Sequence, residues 1–239
     1  MKKLTRTLLV GISAFVALGT LAACSGGSSN QATTSSEAPT TTTTSAEATP
    51  TAFPQSGRYV ADMKAPDGKT MTIGISVEGD EIAAYACNGT DDEAWFFGNQ
   101  ADGKIDVKSR FRDTLTAEFD GTNVAGDLNM NGVAYQFSAA PVTGEAGMYT
   151  VELDGIRASW VVREDGSAIG VQFGTSSVGD ITQSEIQQLN DAQFRAEVRN
   201  KRQLQQAQQI TRLSNGKMSS KINGQDVTPI LVTGSFRLG

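Results

Sequence analysis

From Gly57 onwards, apolar residues return at every second position between short polar breaks. Met71, Ile73, Ile75 and Val77 share one side of such a run; so do Leu115, Ala117 and Phe119, then Val133, Tyr135 and Phe137, and later Ala158, Trp160 and Val162. Period-two alternation places one side of a strand in a core and the other in water. The breaks are turn formers, among them Asp67-Gly68, Asn88-Gly89, Asp102-Gly103, Asp120-Gly121, Asn131-Gly132, Asp154-Gly155 and Asp165-Gly166. Most recur after about 10 to 13 residues, the spacing of antiparallel neighbours joined by tight hairpins. Residues 57–179 therefore read as an all-β domain of about ten strands. An antiparallel meander barrel and a two-sheet sandwich both hide the strand edges, and either satisfies the pattern. The aromatics Phe111, Phe119, Tyr135, Phe137, Trp160 and Phe173 are large enough to fill a small barrel from within.

One strand departs from alternation. Ala94-Trp95-Phe96-Phe97-Gly98 is apolar on both faces, which predicts a cover over its outer side. The segment 180–215 is the candidate. Thr182 and Glu185 have capping-box spacing, Ile181 and Ile186 staple spacing, and Ser214-Asn215-Gly216 makes a stop. Between them the Gln-rich run predicts one long helix with a narrow apolar stripe through Ile186, Leu189, Phe194 and Val198, docked over Trp95 or Phe96. Residues 216–239 follow as a terminal hairpin that turns at Asn223-Gly224 and packs on the β domain, with Pro229 confining its last strand to an edge.

The chain starts with Lys2, Lys3 and Arg6, an apolar run from Leu8, and then Leu21-Ala22-Ala23-Cys24. This is the pattern of a secretory leader, residues 1–23. Its ending resembles a bacterial lipobox, in which the thiol of Cys24 is acylated. Residues 24–56 are mainly Ser, Thr, Ala and Pro, a composition with too little to bury to offset ordering entropy, and read as a disordered stalk. The expected location is the extracytoplasmic face of the cell membrane, held by lipid.

Composition narrows the chemistry. The net charge is −6, and loss of the leader removes three basic residues and no acidic one. That balance argues against a nucleic-acid partner. Histidine is absent, which removes Ser-His-Asp and Cys-His nucleophile pairs and most zinc sites. With Cys24 acylated, Cys87 has no partner for a disulfide within the chain. The neighbouring Asp91, Asp92 and Glu93 would raise its pKa, so a buried thiol is the expectation. The same three carboxylates lack the alternating oxygen spacing of a calcium loop. Asn88-Gly89-Thr90 fits a glycosylation acceptor but reads as turn chemistry. Glu93 and Asp113 are the one carboxylate pair worth naming for glycoside chemistry. No cofactor or metal site is read from the sequence. Trp95 and Phe96, together with Arg195, Arg199 and Arg202 on the basic side of the expected helix, are the candidate partner surface.

The stretches "YACNGTDDEAWFFGNQADGKIDV", "LTAEFDGTNVAGDLNMNGVAYQFSAAPV", "GMYTVELDGIRASWVVREDGSAIGVQ" and "INGQDVTPILVTG" resemble a group of actinobacterial envelope lipoproteins. The resemblance implies a β-meander domain behind a lipid anchor and brings no catalytic residue with it. The sequence thus points to a non-catalytic binding or scaffold module of the envelope, whose partner is an envelope protein or a wall polymer. A lipocalin-like carrier of an apolar or lipid ligand is the alternative, and a carboxylate-dependent hydrolase a distant third.

Overall fold

The hairpin signals and the period-two runs form eleven consecutive antiparallel strands in the computed structural model, which describes residues 51–174 and 183–238. The leader, Cys24, the stalk up to residue 50 and the Ile181/Thr182 helix start lie outside the described residues. Strands β1 (Ser56–Lys64), β2 (Thr70–Glu78), β3 (Glu81–Cys87), β4 (Glu93–Ala101), β5 (Lys104–Lys108), β6 (Thr114–Phe119), β7 (Val124–Met130) and β8 (Val133–Pro141) run up and down. They close into a barrel where Tyr59 and Val60 pair with Pro141 and Ala140. Asp102-Gly103 and Asn131-Gly132 turn two of these hairpins with positive φ at both positions, the conformation whose twist matches the flanking strands.

The barrel is filled by its own side chains. Tyr59, Met71, Ile75, Phe96, Leu128 and Tyr135 belong to one continuous buried cluster inside it. Phe53, assigned by composition to the stalk, is buried against one end and stacks on Phe119 with ring centroids 4.8 Å apart. Of the six aromatics expected inside, Phe119, Tyr135 and Phe137 are there. Phe111, Trp160 and Phe173 lie outside: Trp160 and Phe173 belong to a second layer, and Phe111 sits on the connection between β5 and β6 and packs outward beside Phe173.

That layer is a five-stranded sheet. Strands β9 (Gly147–Leu153), β10 (Ile156–Val162) and β11 (Ala168–Gly174) form a meander. Its two free edges are taken by β12 (Leu204–Gln206) and β16 (Ile230–Leu231). Met148, Val161 and Val171 face the barrel and pack on Ala83, Tyr85, Cys87 and Trp95 from its outer wall. The Ser76 hydroxyl in this seam donates to the Val232 carbonyl at 2.9 Å. On the far face Tyr149, Trp160 and Val162 pack on a small sheet of β13 (Thr211–Arg212), β14 (Met218–Ile222) and β15 (Gln225–Val227), the terminal hairpin read from Asn223-Gly224.

The long helix over 180–215 is not formed. In its place stand α1 (Gln183–Gln188), α2 (Asp191–Glu197), a 3-10 turn at Arg199–Lys201 and the strands β12 and β13. Asn190 ends the first helical piece and caps the second. It accepts from the Gln193 amide at 3.0 Å, while the Gln193 side chain accepts from the Asn190 amide at 3.1 Å. Helix propensity is a weak preference that tertiary contacts override. Ile186, Phe194 and Val198 bury against Phe173 and Phe111, and Leu204–Gln206 gain main-chain bonds to the open edge of β11. Among the described residues no helix is long and apolar enough to cross a membrane.

The outer side of β4 is covered by the C-terminal tail and the second sheet, not by a helix. Phe236 packs 5.7 Å from the Trp95 ring and 6.3 Å from that of Phe97. Gly234 permits this approach, since a Cβ there would collide with the Glu78 amide nitrogen and the Glu81 carbonyl oxygen. Gly234→Ala should therefore lift the tail, at a cost of about 1–3 kcal/mol in urea unfolding, the usual range for overpacking. Red-shifted tryptophan emission should accompany the loss; unchanged stability and emission would show that the tail does not cover Trp95.

Candidate functional site

Residues of one parity on a strand share a face. On β4 this places Glu93, Trp95 and Phe97 in a row along the outer wall of the barrel. Glu93 is 2 % exposed and Trp95 6 % exposed. The row lines a cleft of about 410 Å³. Its other walls are Lys108 at the end of β5 with Arg110 and Phe111 just beyond it, Arg157 and Phe173 from neighbouring strands of the second sheet, and Arg237 and Leu238 of the tail.

Three buried polar atoms of residues lining this cleft have no hydrogen-bond partner in the protein: Glu93 Oε2, an acceptor, and Trp95 Nε1 and Arg157 Nε, both donors. Buried polar groups are nearly always bonded, and tryptophan N–H groups usually find a partner when buried. Glu93 Oε1 is held by Arg157 Nη2 at 3.1 Å, and the Arg157 guanidinium lies 5.4 Å from the centre of the Phe173 ring. The lining carries four cationic side chains, Lys108, Arg110, Arg157 and Arg237, of which Arg157 is paired with Glu93. Arg237 is also paired with Glu81 at 2.9 Å.

A buried ion cluster anchors the wall of the cleft. Arg199 Nη1 donates to Asp113 Oδ1 at 2.6 Å and Nη2 to Asp92 Oδ1 at 2.8 Å. Arg202 donates to the Glu93 carbonyl at 3.0 Å and lies 4.2 Å over the Phe111 ring. Asp113 also accepts from the Ser109 hydroxyl and the Asn131 amide, which uses both of its oxygens. Burial outweighs the attraction of the two arginines and pushes the Asp92 carboxyl up from its ordinary value. Arg112 holds the end of α1 from the same connection, donating to the Ile186 and Leu189 carbonyls.

These positions revise the partner surface read from the sequence. Phe96 points into the barrel, and Arg199 and Arg202 are buried in ion pairs instead of lying on a wet helix face. Trp95 is buried too, but at the cleft. Arg195 alone of the five is exposed. The acidic turn is consumed locally: Asn88 Oδ1 accepts from the Thr90, Asp91 and Asp92 amides, and Asn88 Nδ2 donates to Asp91. Among the described residues no group of three metal-ligating side chains is assembled. Cys87 is fully buried between the layers, and burial pushes its thiol up to about 12. The cleft residues Lys108, Arg110, Arg157, Phe173 and Arg237 were not singled out by sequence; the one available signal was the charged Glu93 in line with Trp95 and Phe97.

Comparison with family models, curated proteins and solved structures gives no match, so function has to be read from this site.

Two outcomes test the geometry. Arg199→Met should lower stability by about 3–5 kcal/mol, because it leaves the buried Asp113 carboxylate without a cation and Asp92 with Arg202 alone. Arg195→Ala should change it by less than about 0.5 kcal/mol. Equal effects in urea unfolding would contradict the burial difference. Cys87, followed in the Cys24→Ala chain, should resist a thiol reagent at pH 8 until guanidinium unfolds the protein, whereas rapid native labelling would place the thiol at the surface.

Proposed function

We propose that the protein is a lipid-anchored, extracytoplasmic binding module that holds its ligand in the cleft beside Trp95, without catalysing a reaction on it. The observation that carries this reading is the set of buried, unpartnered atoms, Glu93 Oε2, Trp95 Nε1 and Arg157 Nε, on residues lining one cleft. A donor and an acceptor desolvated together cost free energy unless something fills their bonding capacity. The volume of about 410 Å³ lies in the range of small-ligand sites, roughly 300–1,000 Å³. Interior side chains fill the barrel, which weighs against carriage of an apolar ligand inside it. The anchor rests on the lipobox at Cys24, with at least two acyl chains for stable attachment. Membership of the actinobacterial lipoprotein group is part of the same proposal.

The test uses the ¹⁵N-labelled chain, whose two indole N–H signals report Trp95 and Trp160. Trp160 Nε1 donates to the Gln208 carbonyl at 2.9 Å and serves as the internal control. A small-molecule and polysaccharide extract of the producing cell envelope should shift the Trp95 signal and leave that of Trp160 in place. If Trp95 does not respond, the cleft is not the binding site. In the producing cell, Cys24→Ala should release the protein into the medium; retention in the membrane would remove the anchor from the reading.

A further inference from the structure

Resting on the cleft as the binding site, we propose that its ligand is a neutral sugar unit, held through its hydroxyls by Glu93, Trp95 and Arg157. The three unpartnered atoms set the first requirement: two donors, Trp95 Nε1 and Arg157 Nε, and one acceptor, Glu93 Oε2. An ammonium group only donates and would serve Glu93 alone, and an anion only accepts and would serve the other two. A hydroxyl donates one bond and accepts two, which is the complement of the set. Glu93 and Trp95 stand two residues apart on one face of β4, about 7 Å along the strand. One hydroxyl does not span that distance; a ring bearing several does.

The charge sets the second requirement. Arg157 is matched by Glu93 at 3.1 Å and Arg237 by Glu81 at 2.9 Å. Arg110 has an interaction of its own, and Lys108 is exposed to water. No fixed charge at the cleft therefore calls for a counter-ion from the ligand. An anion placed here would meet the Glu93 carboxylate and a cation the Arg157 guanidinium, each at the cost of like charge in a desolvated site. The walls set the third requirement. Trp95 and Phe97 lie nearly parallel, with ring centroids 5.6 Å apart and planes 10° from each other, and Phe111 and Phe173 line the same space. The electron-rich faces of such rings attract the C–H side of a sugar ring. A purely apolar ring would fill that wall and leave the three polar atoms unbonded.

For the test, the full ¹⁵N-labelled chain, in a detergent without a sugar headgroup, is titrated with glucose, galactose and mannose, each beside its uronic acid and its amino sugar. Cyclohexanol stands for a ring with a single hydroxyl. Expected is a saturable shift of the Trp95 indole with at least one of the neutral sugars, while the Trp160 signal stays in place. Half-saturation should lie at least about tenfold below that of the two charged counterparts and of cyclohexanol. It should change by less than about twofold between about 0.05 and 0.5 M sodium chloride, because salt does not screen a neutral ligand. Glu93→Gln keeps the side-chain volume and removes the charged acceptor, and should weaken the sugar about tenfold with Trp160 unmoved. The same unit can be carried by a wall polysaccharide or by a glycolipid headgroup; the water-soluble polysaccharides and the solvent-extracted lipids of the producing envelope, added separately, show which source holds it. The proposal is overturned if none of the neutral sugars moves Trp95, or if a charged counterpart or cyclohexanol acts as strongly. In that event a Trp95 response to whole envelope extract retains the cleft with another ligand class, and silence there removes both.

Discussion

The chain between α2 and β12 is tied to the barrel by one buried ion cluster, in which Arg199 and Arg202 of the 3-10 region meet Asp92 of the β3–β4 turn and Asp113 at the start of β6. Taking guanidinium groups out of water costs several kcal/mol each, and only well-formed bonds on most of their donors offset it. Here each arginine reaches carbonyls as well as carboxylates, and Phe111 lies under Arg202. The net gain in stability over an apolar contact is small by that reasoning. The gain in position is large, because the cluster fixes where the chain after β11 returns to the barrel wall and starts β12 in register.

Position matters because the barrel has little to offer on its own. Its interior is filled, and a meander of this kind exposes an outer wall of alternating residues. A ligand-sized space then forms where that wall is made concave. The second sheet, the connection carrying Lys108, Arg110 and Phe111, and the C-terminal tail accomplish this around the row Glu93, Trp95 and Phe97. The cleft is built on a strand and backed by a closed barrel, which holds its polar groups with the rigidity that recognition of a small ligand requires.

The strands were legible in the sequence because their signals are local. A pair such as Asn131-Gly132 or Asn223-Gly224 states its turn within two residues, and alternation states which side is buried. The two-faced apolarity of Ala94-Trp95-Phe96-Phe97 announced a cover but not its identity. Phe236 lies far along the chain in a segment with no periodicity, and contact with it follows from the close approach at Gly234. The helix was misread for a related reason. Glutamine-rich sequence favours a helix locally, while the pull of Asp92 and Asp113 on Arg199 and Arg202 acts across about a hundred residues of chain and leaves no local trace. A buried arginine and a solvated one look alike in a list of charges, so the same blindness put both on a partner surface and left Arg157 unnoticed.

The most direct measurement is a high-resolution crystal structure of the protein, with attention to the space between Glu93 and Trp95. The geometry predicts Glu93 Oε2 and Trp95 Nε1 both turned into the cleft, each bonded there to ordered density that is not protein. A Trp95 indole donating to a carbonyl of its own chain, or a Glu93 with both oxygens bonded to Arg157, would contradict it and leave the cleft without the groups that make it a site.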